Sequence, residues 1–201
     1  MRASLTGISK SFGDKKIISN LSFEFTDERP NLIVGESGRG KTTLLRIISN
    51  LEKPDEGKVE FGVDRKKLKI GIAFQENRLS ETFSAVDNVV MVLGKKLSRE
   101  EIERELSKVL PQDSLKKPVS EFSGGMKRRV AVMMALLGDN DIIMLDEPFA
   151  GLDERNAQVL KDVVLEKTVG KLLIVSIHDS SAFPDANILD LDSYYQAAQV
   201  K

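Results

Sequence analysis

Cysteine is absent from the 201 residues. No disulfide can form and none is needed, because a chain of this length buries roughly 70% of its unfolded surface. The absence suits a reducing compartment. Long apolar runs are missing as well. Stretches such as Ala131 to Leu137 fall far short of the ~20 residues of a membrane span. Any membrane role is therefore expected to come through a separate partner subunit. Met1 to Gly7 has no apolar segment of the secretory kind, so no leader is expected. Charge of one sign is not in excess: Lys+Arg 30 against Asp+Glu 31 leaves a formal charge of -1, and no nucleic-acid partner is expected. Neither an internal repeat nor a low-complexity stretch is present.

What is there alternates between strand and helix patterns at both ends. Leu21, Phe23 and Phe25 alternate with polar residues, Leu32 to Val34 is a short apolar run, and Thr42 to Ser49 has helical spacing. Val59 to Phe61 and Ile70 to Phe74 read as strands. Val86 to Leu93, Ser98 to Leu110 and Ser123 to Leu137 read as helices, with Ser98 and Glu101 forming a capping box. The last third returns to strand Ile142 to Leu145, helix Glu154 to Val164, and strands Leu172 to Ser176 and Asn187 to Leu191. This order predicts an α/β fold with a largely parallel sheet and an antiparallel β part at the N-terminal end. A single domain, 1–201, is expected, with a core from about 1–80 and 139–201 and an inserted helical lobe at about 81–138.

Three motifs carry chemistry. Gly35-Glu36-Ser37-Gly38-Arg39-Gly40-Lys41-Thr42 matches G-x-x-x-x-G-K-[ST] without a gap, after an apolar strand and before a helix. Its glycines let backbone N–H groups curl around a phosphate at the positive end of the helix. Lys41 is expected to reach the β- and γ-phosphates of ATP and the Thr42 hydroxyl to hold Mg²⁺, with Thr43 closing the loop. Ile142 to Leu145 leads into Asp146-Glu147. Asp146 there can hold Mg²⁺ through water and Glu147 can polarise an attacking water, or both can simply cap the strand before Pro148. Ser123-Gly124-Gly125, at a helix start far from the phosphate loop, is a second phosphate-facing surface, or an ordinary N-cap. One copy cannot easily close both surfaces on a single nucleotide; two facing copies can.

At these residues the chain resembles the ATP-binding subunit of ABC transporters over essentially its whole length, which implies a P-loop NTPase core. In that family ATP lies between the phosphate loop of one subunit and the Ser-Gly-Gly signature of the other. The resemblance implies that role for Ser123, Gly124 and Gly125. Phe122 and Met126 stand where the family usually has Leu and Gln. It further implies that Gln75 senses Mg²⁺ and water, that His178 contacts the γ-phosphate, and that Asp153, in Gly151-Leu152-Asp153, communicates between sites. Phe12 matches the aromatic that stacks on adenine; plain core is the competing reading. The competing readings of Gln75, His178 and Asp153 are a surface residue, a packing residue and a helix N-cap.

The resemblance implies an ATPase that dimerises on ATP and binds transmembrane permease subunits. Phe74 to Leu79 is similar to prokaryotic importers of the nitrate, sulfonate and taurine group. A solute-binding protein and a position in the cytoplasm, on the inner face of the membrane, are then expected. The alternative is a soluble ABC-type ATPase acting on a non-membrane partner. The DNA-repair branch needs a long coiled coil, and only about eighty residues separate Thr43 from Ser123.

Overall fold

Residues 1–199 are described by the computed structural model; 200 and 201, the last two of the expected domain, lie outside it. The strands are β1 (Arg2–Phe12), β2 (Lys15–Thr26), β3 (Asn31–Val34), β4 (Glu56–Phe61), β5 (Ile70–Ala73), β6 (Ile142–Asp146), β7 (Leu172–Ile177) and β8 (Asn187–Asp190). The helices are α1 (Lys41–Ser49), α2 (Ala85–Leu93), α3 (Arg99–Leu106), α4 (Gly124–Leu136), α5 (Glu154–Lys167) and α6 (Leu191–Gln199). An antiparallel sheet has the order β2-β1-β4, and an all-parallel sheet the order β5-β6-β7-β3-β8.

The parallel sheet is covered on both faces, and its strands alternate between two cores. Leu32, Ile143, Leu145, Leu173 and Val175 face one cluster with α2, α3, α4 and α5. Ile33, Ile142, Met144, Leu172 and Ile174 face the other, where α1 lies between the parallel sheet and the antiparallel sheet of β1 and β2. The helices between residues 85 and 136 therefore share their core with the sheet. Burial on both faces is why these strands are continuous apolar runs.

Three elements differ from the sequence reading. The alternation of β1 is broken by bulges between Leu5 and Ser11, which bury Ile8, Ser9 and Lys10 in succession and hide the strand from a period-2 reading. Helix α3 stops at Leu106 rather than Leu110. Beyond it Lys108 N–H bonds to the Glu105 carbonyl and Val109 N–H to that of Leu106, a tightened turn ahead of Pro111. The last strand stops at Asp190, whose carboxylate accepts the N–H groups of Asp192 and Ser193 and so starts α6 at Leu191.

Gly71 sets how closely α4 approaches β5. A Cβ there would lie 2.4 Å from the Ala135 carbonyl oxygen and 2.5 Å from Asn140 Nδ2. Gly71→Ala is expected to cost about 1–3 kcal/mol by overpacking and to lower the melting temperature by several degrees. A variant melting with the wild type would show that α4 gives way freely.

Candidate active site

The phosphate loop occupies the turn between β3 and α1, and its shape follows from two glycines. Gly38 (φ 80) and Gly40 (φ 97) are left-handed, a region costly for residues with a Cβ. At Gly40 a Cβ would also meet Ile17 Cγ2 at 2.9 Å. With Gly40 as N-cap, α1 begins at Lys41, and its first N–H groups have no acceptor within the helix. Helix α6 braces the loop from outside: Asp192 accepts the Glu36 N–H at 2.9 Å and pairs with Arg39 at 2.5 Å.

Lys41 is buried, yet its ammonium is surrounded by oxygen and nitrogen acceptors. It donates to the Gly35 carbonyl at 2.5 Å and the Glu36 carbonyl at 3.3 Å, lies 3.3 Å from Glu147 Oε1, and is 3.4 Å from His178 Nδ1. His178 Nε2 lies 3.0 Å from the same Glu147 oxygen. The geometry fits an imidazole carrying its proton on Nε2, accepting from Lys41 and donating to Glu147. Glu147 is left-handed (φ 50), which costs a non-glycine residue of order 1–3 kcal/mol. Its N–H is held by the carbonyl and hydroxyl of Ser176 at 3.0 and 3.1 Å. The chain thus turns sharply off the end of β6 where the second acid begins.

Asp146 remains in the strand, almost fully buried, and accepts the Thr42 hydroxyl at 2.6 Å and that of Ser176. Thr42 and Asp146 are two adjacent hard oxygen donors, which fits Mg²⁺. No group of three or more His, Cys, Asp or Glu among the described residues could hold a metal. Such an ion would complete its shell with phosphate and water oxygens.

A cavity of ≈ 300 Å³ joins Phe12, Lys41, Thr42, Thr43, Gln75 and Glu147. Phe12 is 51% exposed at the end of β1, so it is not core. Gln75 is exposed beyond β5, and His178 is exposed beyond β7. Ser123, Gly124, Gly125 and Asp153 do not line this cavity. Ser123 caps α4, accepting the Met126 N–H at 3.2 Å, and Asp153 caps α5, accepting that of Asn156 at 2.8 Å. The Asn156 N–H holds the Asp153 carboxyl below its ordinary pKa. Phe122 is buried, a Cβ on Gly125 would meet Leu152 at 2.9 Å, and Gly124 is open to its surroundings. Arg129 bonds the Gly125 carbonyl and the Asn156 side chain, tying the two helix starts together.

Sequence reasoning missed Ser176, Arg128, Arg129 and Asp192. Two arginines heading the apolar run Val130 to Leu137, and a serine as the one polar residue of the apolar strand β7, were available signals. Nothing local marks Asp192.

Fold and site together define a P-loop nucleotide-hydrolysing domain, with its phosphate loop and acid pair at the carboxyl ends of parallel strands. The chain belongs to the ABC transporter family, whose model matches residues 18–150, and is an ABC-type ATPase that binds nucleotide. It is 38% identical over 167 residues to the aliphatic sulfonates import ATP-binding protein SsuB 3 of Rhodococcus jostii, covering 82% of this chain and 60% of that protein. It is 34% identical to the lipoprotein-releasing system ATP-binding protein LolD of Bacteroides fragilis, over 88% of this chain and 91% of that one. A bacterial ABC transporter cassette solved as a dimer superposes with a TM-score of 0.79 at 26% identity, covering 94% of each chain.

Gly40→Ala tests the loop. Strain and the clash with Ile17 are expected to weaken ATP binding at least about tenfold, roughly the 1.4 kcal/mol of a strained backbone position. Titration with a fluorescent ATP analogue checks this; unchanged affinity would contradict the loop geometry.

Proposed function

We propose that this chain powers a membrane importer, hydrolysing ATP in a dimer whose two copies face each other across the nucleotide. One observation carries the reading. Lys41, Thr42, Gln75 and Glu147 share a cavity, whereas Ser123 to Gly125 presents the open Gly124 and the start of α4 elsewhere on the same chain. A second copy can bring that helix start to the γ-phosphate; the relative solved as a dimer supports such pairing.

In this reading Lys41 neutralises the β- and γ-phosphates, with the glycine-rich loop N–H groups around them. Glu147 orients and polarises the attacking water, and His178, bonded to Glu147, holds the geometry at the γ-phosphate. Thr42 and Asp146 would hold Mg²⁺, with Gln75 across the cavity; bound there, the ion offsets charge on the phosphate oxygens. Phe12 stacks on the adenine, and Asp153 relays between the two sites through the Arg129 contacts.

The partners follow from the same reading. No helix among the described residues is long and apolar enough to cross a membrane. A groove of ≈ 440 Å³ next to Gln75, lined by apolar Leu51, Phe74, Leu79 and Val92 together with charged Glu76, Arg78 and Lys96, suits an amphipathic segment of a permease. In this reading the chain sits on the inner face of the membrane, with a solute-binding protein completing an importer. Kinship with the sulfonate import protein supports this direction. The lipoprotein-releasing relative, matched over more of its length, supports a second reading in which the system releases a lipid-linked cargo. Transport assays with a permease that copurifies with this chain, offered a sulfonate or a lipoprotein as cargo, separate the two.

Glu147→Gln is expected to keep ATP binding, lower turnover by about 10²–10⁴-fold and trap a dimer visible in gel filtration; a monomer with ATP and Mg²⁺ would contradict the proposal. Lys41→Ala is expected to abolish tight ATP binding. Undiminished affinity in a nucleotide titration would remove Lys41 from its role.

A further inference from the structure

Arg128 lies within α4, five residues beyond Ser123, and is 4% exposed. Its guanidinium does not face a carboxylate at bonding distance. One terminal nitrogen donates to the Phe74 carbonyl and, at 3.3 Å, to Asn77 Oδ1; the other donates to the Asp146 carbonyl. Its Nε has no acceptor among the described residues. Phe74 and Asp146 stand at the ends of the neighbouring strands β5 and β6, whose last paired residues are Ala73 and Leu145. The guanidinium thus spans the two strands just where their own ladder ends. The two carbonyls it grips belong to the peptide units that lead into Gln75 and Glu147.

Stability alone does not favour such a residue. Burying a cation against carbonyl dipoles, with one N–H unpaired, costs desolvation that an apolar side chain of similar length would not incur. That burial also pulls the Arg128 pKa below its ordinary value, while the nearby Asp146 and Glu147 charges oppose the shift. What the planar fork offers is simultaneous, directional contact with two fixed points. Lysine cannot reproduce that contact, and methionine cannot make it at all.

We propose that Arg128 is a positioning residue: it fixes the peptide units of Gln75 and Glu147 to the helix that carries Ser123, so that movement of α4 is felt by both. The inference rests on the proposed roles of Glu147, Gln75 and Ser123. It adds that the signature helix of each copy sets the water-activating geometry in its own phosphate-loop cavity. Nucleotide affinity, set chiefly by the loop and Lys41, is independent of Arg128, whereas turnover depends on it.

The test is steady-state ATP hydrolysis and thermal melting of the full chain carrying Arg128→Met or Arg128→Lys, beside Glu147→Gln. Both Arg128 variants are expected to lose about tenfold to a hundredfold in kcat, as for misplacement of a reacting group by about an ångström. Their KM for ATP should stay within about twofold, the pattern of a contact that serves only the transition state. Arg128→Met sheds a buried cation but strips two carbonyls of their donor. It should melt no more than about 10 °C below the wild type, still folded at the assay temperature. Turnover within about twofold of wild type in Arg128→Met, or full recovery in Arg128→Lys, would overturn the proposal. So would a loss of kcat that accompanies unfolding of both variants at the assay temperature, since Arg128 would then be structural. A dimer trapped by Glu147→Gln alongside normal turnover in Arg128→Met defeats this inference alone; no trapped dimer defeats the reading beneath it.

Discussion

A buried ammonium must be surrounded by acceptors, and in this fold the acceptors around Lys41 come from three different segments. Gly35 and Glu36 at the end of β3, Glu147 beyond β6 and His178 beyond β7 all approach one nitrogen. These strands lie side by side in the order β6-β7-β3, so their carboxyl ends open on the same side of the sheet. The charge of Lys41 therefore ties the phosphate loop, the acid pair and the histidine to one point. Asp146 repeats the device one step deeper, receiving hydroxyls from α1 and β7. A site held this way has little freedom to drift, which electrostatic stabilisation of phosphoryl transfer requires.

The rest of the chain is arranged around that point at two distances. Close by, Asp192 of α6 and Ile17 of β2 brace the loop from outside. Further away, α4 is packed against β5 through Gly71 and linked to the strand ends through Arg128, while Arg129 joins its start to that of α5. Signature, acid pair and glutamine therefore form a mechanically connected set, although the signature does not line the cavity that Gln75 and Glu147 share. The contacts run through backbone carbonyls, which move with the main chain, and a rigid shift of α4 would be transmitted to both strand ends.

Much of this was legible in the sequence, for identifiable reasons. Ile142 to Leu145 and Leu172 to Val175 are buried on both faces, so their apolar runs were unmistakable, and Ser98 with Glu101 forms the capping box that local spacing implies. The phosphate loop was readable because glycine is required at Gly38 and Gly40, where φ is positive. Strand β1 escaped because bulges break its period, and α6 because its start depends on Asp190, which also ends a strand. Ser176, Arg128 and Asp192 act through partners 18 to 156 residues away, at Asp146 and Glu36. No window of sequence shows such contacts. That Phe12 is not core is learned only from its exposure, which the flanking Ser11 and Gly13 do not reveal.

The central claim is that the nucleotide is enclosed by two copies, each lending its α4 start to the other's phosphate loop. The lack of cysteine makes a direct distance measurement simple. One pool of the Glu147→Gln protein would carry a spin label at Asp14→Cys, beside Phe12, and another at Glu121→Cys, beside Ser123. Pulsed electron resonance on the mixed pools should show a short distance between copies with ATP and Mg²⁺ that vanishes without nucleotide. A distribution that ATP leaves unchanged, with both labelled pools still binding ATP, would contradict the account.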